Sequence, residues 1–278
     1  MDRRSGVVRE MVATGVRVVA EVTTPNLTMP DLKVGGLAPH PVLVGWYATE
    51  TDRAGFVRSL FDRGAAGYDR IDRLFSLGTG TRYRAALLRR AGVRSHDRVL
   101  DVATGTGLVA RAARRLAPDG LVVGLDVSAG MLAVARRQPG VALLQARAEQ
   151  VPARDGAFDV VTMGYALRHL DDLDRAFAEF RRVLRPGGML LLTEIVCPAS
   201  RLGQALARLY LGGLVPCLSR LLGGGADASR MMRYYWTTID QCVPEASIVA
   251  VLGRCGFGTV RSETELGLFR TMIATADA

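Results

Sequence analysis

From Arg98 onward, short runs rich in Val and Leu alternate with amphipathic runs, and this alternation restricts the chain to a parallel sheet with helices on both faces. The spacing predicts strands at 98–102, 121–126, 141–145, 158–163 and 189–194. Helices are expected at 108–116 and 131–137, with arginines outward. A third, at 171–184, aligns Leu173, Phe177, Phe180 and Leu184 and stops at Arg185-Pro186-Gly187-Gly188. Beyond it the pattern breaks into an apolar helical insertion at 201–222, a helix from Pro244 to Gly256, and strand-like runs at 259–264 and 269–275.

The first 97 residues read differently. Val7, Val8, Met11, Val12, Val18, Val19 and Val22 recur at intervals of three and four, which predicts a helix within 1–22. Pro25, Pro30, Pro39, Pro41 and the Gly35-Gly36 pair make 23–46 an extended connector. A capping box over 49–52 opens a helix with Phe56, Val57, Leu60 and Phe61 on one side. The expected organisation is an N-terminal extension at 1–50, a helical cap at 51–95, and an α/β domain at 96–278 interrupted by a lid near 200–243.

With 278 residues, 49% of them hydrophobic, the chain can bury one large core. The formal charge of +9 raises the question of nucleic acid. Lys33 is the only lysine, and the arginines are spread in ones and twos, so solvated helix faces are expected and a nucleic-acid partner is not. Cys197, Cys217, Cys242 and Cys255 show no CxxC pairing, and His40, His96 and His169 are scattered, which predicts reduced thiols, no metal site and a cytoplasmic location. Arg9, Glu10, Arg17 and Glu21 interrupt any signal-peptide core. Arg208, Pro216 and Arg220 break the greasiest stretch, 202–222, so no stable membrane span is expected.

The first strand of the alternating region runs through Asp101-Val102-Ala103-Thr104-Gly105-Thr106-Gly107 straight into a helix, which puts glycines where backbone approaches a ligand at the carboxyl edge of a sheet. Gly105-x-Gly107-x-x-Ala110 also satisfies the dinucleotide fingerprint, and a ligand-free tight turn would use the same glycines. Asp101 tilts the balance: a carboxylate repels a diphosphate and attracts the ammonium of a methionine moiety. Asp126 ends the second strand, where a carboxylate accepts hydrogen bonds from ribose hydroxyls. Glu149 follows the third strand, within reach of an adenine.

These residues closely resemble the UbiE/MenG/Coq5 quinone C-methyltransferases, within the class I S-adenosylmethionine-dependent enzymes. The resemblance rests on VLDVATGTG (99–107), GLDVSAGML (124–132), ARAEQVP (146–152), FDVVTMGYALRHL (158–170) and RVLRPGGMLLLTE (182–194). FDRGAAGYDRIDRLFSLG (61–78) is similar to the group's N-terminal signature, and 233–257, with Tyr234 and Pro244, to its closing segment; together the likeness spans about 55–275. It implies a Rossmann-like seven-stranded sheet with the last strand antiparallel. It also implies S-adenosyl-L-methionine held by Asp101, Ala103, Thr104, Gly105, Gly107, Asp126, Val127, Met131, Ala148, Glu149 and Tyr165. The group's arginine that polarises the acceptor falls on Arg168, followed here by His169 where asparagine is usual.

Methyl transfer needs alignment and dehydration more than covalent machinery. Arg168 is the candidate to stabilise a phenolate or enolate, or else an ion-pair partner of Asp171 or Asp172. His169 is a candidate base near neutral pH, or else a single hydrogen-bonding residue at a helix start. Tyr68, Glu194, Tyr210 and Tyr234 are candidates to face a small, apolar acceptor of quinone, polyketide or terpenoid type, methylated on carbon or oxygen; the tyrosines could equally be core. A cyclase that keeps its S-adenosylmethionine and a nicotinamide-dependent oxidoreductase are the rivals. For 1–50, self-association into a homodimer or larger homo-oligomer, pocket coverage and disorder all stay open.

Overall fold

The computed structural model describes residues 7–12, 15–23, 36–76, 78–220 and 225–277. Nine strands among them form one sheet. They are β1 (Val7–Val12), β2 (Gly15–Thr23), β3 (Arg98–Val102), β4 (Leu121–Asp126), β5 (Ala142–Gln145), β6 (Phe158–Gly164), β7 (Leu184–Ile195), β8 (Phe257–Glu265) and β9 (Phe269–Ala276). Their order is β1-β2-β8-β9-β7-β6-β3-β4-β5. The strands from β3 to β7 pair in parallel, and β9 runs antiparallel between β7 and β8. The seven strands from β3 to β9 thus make the Rossmann-like sheet with an antiparallel last strand.

The extension is a correction. Its described residues form a β-hairpin, β1 on β2, and not a helix, and β2 pairs antiparallel with β8 from Arg17 opposite Glu265 to Thr23 opposite Thr259. Valine's branched Cβ favours the pleated sheet, and the edge of β8 offers unpaired backbone groups that a strand satisfies and a helix does not. The rest of the helix prediction, and the connector's Pro25 and Pro30, lie outside the described residues.

Helices α1 (Glu50–Phe75), α2 (Gly80–Arg90), α3 (Leu108–Leu116), α4 (Ala129–Ala135), α5 (Leu173–Val183), α6 (Arg201–Ala207), α7 (Val215–Ser219), α8 (Gly225–Asp240) and α9 (Glu245–Arg254) cover the sheet, with a π-helical stretch at Arg208–Leu214. Helix α5 shows why the pattern was readable. Asp172 caps it by accepting from the Arg175 amide, and Leu173, Ala176, Phe177, Phe180 and Val183 are fully buried along one stripe. That stripe packs with α9 on one face of the sheet, while α2 and α3 bury Leu87, Leu88, Ala110 and Ala113 on the other. A third cluster, from α1, α8 and the insertion, sits over the carboxyl ends of the parallel strands.

The connector's described residues lack regular structure yet are packed. The Leu37 amide donates to the Asp174 carboxylate at 2.8 Å and the Val243 amide to the Pro39 carbonyl at 2.8 Å, while Leu43 and Tyr47 are buried. Helix α1 is anchored to α4 at close range. Asp62 Oδ1 accepts from the Gly130 amide at 2.9 Å and from Ser128 Oγ at 2.6 Å, and a Cβ on Gly130 would lie 2.8 Å from the Asp62 carbonyl oxygen. Gly130→Ala should therefore push α1 off α4, costing about 1–3 kcal/mol of overpacking. The expected outcome is a melting temperature lowered by several degrees in scanning calorimetry, against no such change for Gly55→Ala, where an added Cβ meets nothing.

Candidate active site

The turn after β3 is built around a buried carboxylate. Asp101 has no solvent exposure; its Oδ2 accepts from Thr104 Oγ1 at 2.6 Å and from the Ala110 amide at 3.0 Å, and its Oδ1 from Thr162 Oγ1 at 2.8 Å. Asp126, at the end of β4, accepts from the Gly105 amide at 2.8 Å and from the Ser128 amide at 2.8 Å. Burial raises both carboxyls to about 6, against the pull of those donors.

Two non-glycine residues here adopt the left-handed region, Ala103 (φ +53°) and Tyr165 (φ +61°), directly after β3 and β6. Such backbone costs free energy and concentrates at functional sites. Gly105 (φ +57°) and Gly107 (φ +84°) complete the turn, and Gly107 starts α3.

A cavity of about 110 Å³ opens above this turn. Ala103, Gly105, Asp126, Val127, Met131, Ala148, Glu149, Tyr165, His169 and Tyr68 line it, all of them expected site residues. Asp101, Thr104 and Gly107 do not: they brace the turn from beneath. Phe61, Arg147, Asp171 and Tyr235 were not anticipated at this cavity. Asp171 Oδ1 and both ring nitrogens of His169 are buried without a partner, so the cavity presents a carboxylate acceptor and a neutral imidazole with one donor and one acceptor nitrogen, all unpaired. A ligand with hydroxyl, amino or ammonium donors on an apolar body fits this set.

A second cavity, about 430 Å³, lies beside the first and is mostly apolar. Ile71, Phe75, Leu211, Met232, Trp236 and Phe269 are among its walls, with Tyr83, Glu265 and the buried Arg84–Asp72 ion pair as its polar groups. Tyr68, Tyr165 and Tyr235 line both cavities, and the Tyr68 and Tyr235 hydroxyls hydrogen bond at 3.2 Å. Burial raises all three phenols, so they stay protonated.

The remaining candidates are placed outside the cavities. Tyr234 is fully buried among Trp46, Phe56 and His169. Its neighbour Tyr235 takes the cavity position, because adjacent helical residues point about 100° apart. Tyr210 packs on Phe75. Arg168 has no exposure and is ion-paired with Glu194, not with Asp171 or Asp172; its Nε donates to Thr238 Oγ1 at 3.1 Å, and its guanidinium lies 4.6 Å over the Tyr235 ring. It therefore meets the cavities only through Tyr235. Burial, then the Arg168 charge, hold His169 well below the ordinary histidine range, so it is neutral at pH 7 and a weak base, not one poised near neutrality.

Residues 48–272 match the family model for the ubiE/COQ5 methyltransferase family. The chain belongs to that family. It is 34% identical over 214 residues to the ubiquinone/menaquinone biosynthesis C-methyltransferase UbiE of Hahella chejuensis, covering 74% of this chain and 85% of that one. To the demethylmenaquinone methyltransferase of Thermus thermophilus it is 34% identical over 209 residues, covering 73% and 93%. Among solved structures, a SAM-dependent methyltransferase from Thermotoga maritima shares the fold with a TM-score of 0.54 at 19% identity, covering 79% of this chain and 99% of that one. A SAM-dependent methyltransferase from Aquifex aeolicus does so with a TM-score of 0.54 at 17% identity, covering 74% and 97%. As a ubiE/COQ5 family member the chain is an S-adenosylmethionine-dependent methyltransferase.

The Arg168–Glu194 pair gives a measurable consequence. Glu194→Gln leaves a buried guanidinium without its counter-charge, which should cost about 3–5 kcal/mol in urea unfolding. Arg168→Met combined with Glu194→Leu removes both charges and should recover most of that loss.

Proposed function

We propose that the chain binds S-adenosylmethionine in the cavity above the β3 turn and methylates a ring carbon of a small, reduced quinone-type acceptor held in the larger apolar cavity. The observation that carries this reading is the wall of Tyr68, Tyr165 and Tyr235 shared by the two cavities, since in-line transfer needs donor and acceptor sites that meet at one place. The names of the relatives support a quinone-type acceptor over a polyketide or terpenoid one.

When bound, S-adenosylmethionine supplies a methyl group on a sulfonium that leaves as a neutral thioether. In this reading Asp126 accepts from the ribose hydroxyls, Met131 and Ala148 give the adenosyl group apolar contact, and Glu149 and Asp171 offer carboxylate acceptors at the rim. Asp101 sets the turn whose backbone meets the amino-acid tail, with Thr104, Gly107 and Val127 fixing its path. His169 is kept neutral, so no positive charge is placed beside a sulfonium. The Tyr68–Tyr235 pair donates a hydrogen bond to an acceptor oxygen, which stabilises negative charge as the ring carbon attacks the methyl group; the proton of that carbon is released to solvent after the transfer, restoring the aromatic ring. Helix α1, through Val57 and Phe61, excludes water.

The deciding experiment incubates the protein with S-adenosylmethionine and a short-chain reduced naphthoquinol. Mass spectrometry should show one added methyl per product with matching S-adenosylhomocysteine. No methylated quinol, or product formed with the cofactor intact, would overturn the reading.

Two variants probe the assignments. Asp126→Ala should weaken cofactor binding on the order of a hundredfold in calorimetry, as expected when charge-assisted hydrogen bonds are lost. In the wild type, a carboxyl that titrates at about 6 and binds in its charged form must release a proton on binding, so affinity falls as pH drops through 6. Between pH 7.5 and pH 5 the loss should be about tenfold for each such carboxylate. Tyr235→Phe should lower kcat on the order of a hundredfold while cofactor affinity stays unchanged.

A further inference from the structure

The insertion after β7 has two faces of different character. Inward, Leu211 and Val215 line the larger cavity, and Gly212 lies so close to the Trp236 indole that an added Cβ would meet it at 3.1 Å. Outward, Leu202 is 71% exposed, Leu206 56% and Leu209 69%, at spacings of four and three that place them along one side of α6 and the π-helical stretch. Large side chains exposed singly are ordinary; an apolar row along one helix marks an interaction surface.

The charge within this segment is one-sided. Between Glu194 and Asp227 the sequence holds no carboxylate and three arginines, Arg201, Arg208 and Arg220. All three are exposed, and none is ion-paired to a carboxylate among the described residues. Leucines flanked by unpaired arginines fit a surface that is apolar below and anionic above, the outer layer of a bilayer carrying acidic headgroups. A second copy of the chain fits poorly, because a symmetric pairing would set the same arginines against each other. Crossing the bilayer is not what the described residues offer, since none of their helices is long and apolar enough.

The position of this face gives docking a purpose. Leu266, 68% exposed at the β8–β9 turn, also lines the larger cavity, so that cavity reaches the surface at an apolar rim. We propose that the outer face of 201–220 docks on anionic lipid bilayers, bringing the mouth of the apolar cavity to the layer in which apolar molecules dissolve. The insertion is then a two-sided element: cavity wall within, lipid contact without. Docking does not require the acceptor to be a quinol, and it is measured without cofactor or acceptor, so its failure is separable from failure of the proposed reaction.

The test is flotation of the full-length protein with phosphatidylglycerol-containing and pure phosphatidylcholine vesicles. Binding is expected to the former, weakened by added salt, and at least about tenfold weaker to the latter. The triple variant L202S/L206S/L209S should partition at least about tenfold less, with melting temperature and S-adenosylhomocysteine affinity unchanged. R201Q/R208Q/R220Q should lose roughly a hundredfold on anionic vesicles and its preference between the two lipids, about a factor of five per arginine. Absence of vesicle binding by the wild type overturns the proposal, as does unchanged binding by both variants. So does sedimentation showing that the leucine variant turns a dimer into a monomer while vesicle binding persists, which would assign the face to a second copy.

Discussion

The carboxylate of Asp101 is the point from which the site is organised. Without solvent contact, it gathers Thr104 from the turn, Ala110 from the first turn of α3 and Thr162 from β6, so one side chain fixes the relative position of a loop, a helix start and two strands. All three donors are uncharged, and burial still wins over them, leaving the group at about 6 instead of near 4. A carboxyl held this way near neutrality stores free energy that a positive or hydrogen-bond-donating ligand above it can release. The left-handed Ala103 stores more, at the place where backbone and ligand would meet.

Helix α1 converts this frame into an enclosed site. It approaches the carboxyl edge at three points. Arg53 donates to the His40 and Leu170 carbonyls, Asp62 receives Ser128 and Gly130 at the start of α4, and Asp69 receives Thr106 Oγ1 at 2.6 Å from within the glycine turn. The residues between these anchors, Ala54, Val57, Phe61 and Tyr68, form one side of the smaller cavity. Attachment and lining therefore alternate along a single helix, as the 3.6-residue period allows when both faces have partners.

What the sequence made legible follows from how local the physics is. Strands 98–102 and 121–126 and helix 108–116 were bounded correctly because each carries its own period and its own boundary residue, with Gly107 before α3 and Asp126 at the end of β4. Ala103 and Gly105 were legible as residues of a cavity because one short turn after the first strand carries them. The hairpin was misread because valine at mixed spacing satisfies two periods, and only the free edge of β8, contributed by residues far along the chain, decides between them. Helix α2 falls within the helical cap expected at 51–95 but was not separated from α1, for its arginine-rich 80–90 run has no capping side chain at Thr79. Tyr235 was missed in favour of Tyr234 since helix phase in 225–240 depends on which face meets α1, a tertiary fact. The partner of Arg168 was misplaced for a similar reason. Asp171 and Asp172 are near in sequence, but β7 delivers Glu194 from the neighbouring strand.

The groups where the two cavities meet, and those directly behind them, carry no net charge. Tyr68, Tyr165 and Tyr235 keep their protons, His169 stays neutral, and the Arg168 charge is cancelled by Glu194 behind the Tyr235 ring. For the proposed reaction this matters more than any single base. Transfer from a sulfonium to an electron-rich ring disperses and then removes the positive charge on sulfur, so surroundings that solvate charge poorly favour the transition state over the ground state. A strong base or a free cation at that place would hold or repel the charge that has to disappear. The aromatic wall supplies low polarity with hydroxyl donors at its edge, and the buried ion pair holds that wall in position without adding net charge to it.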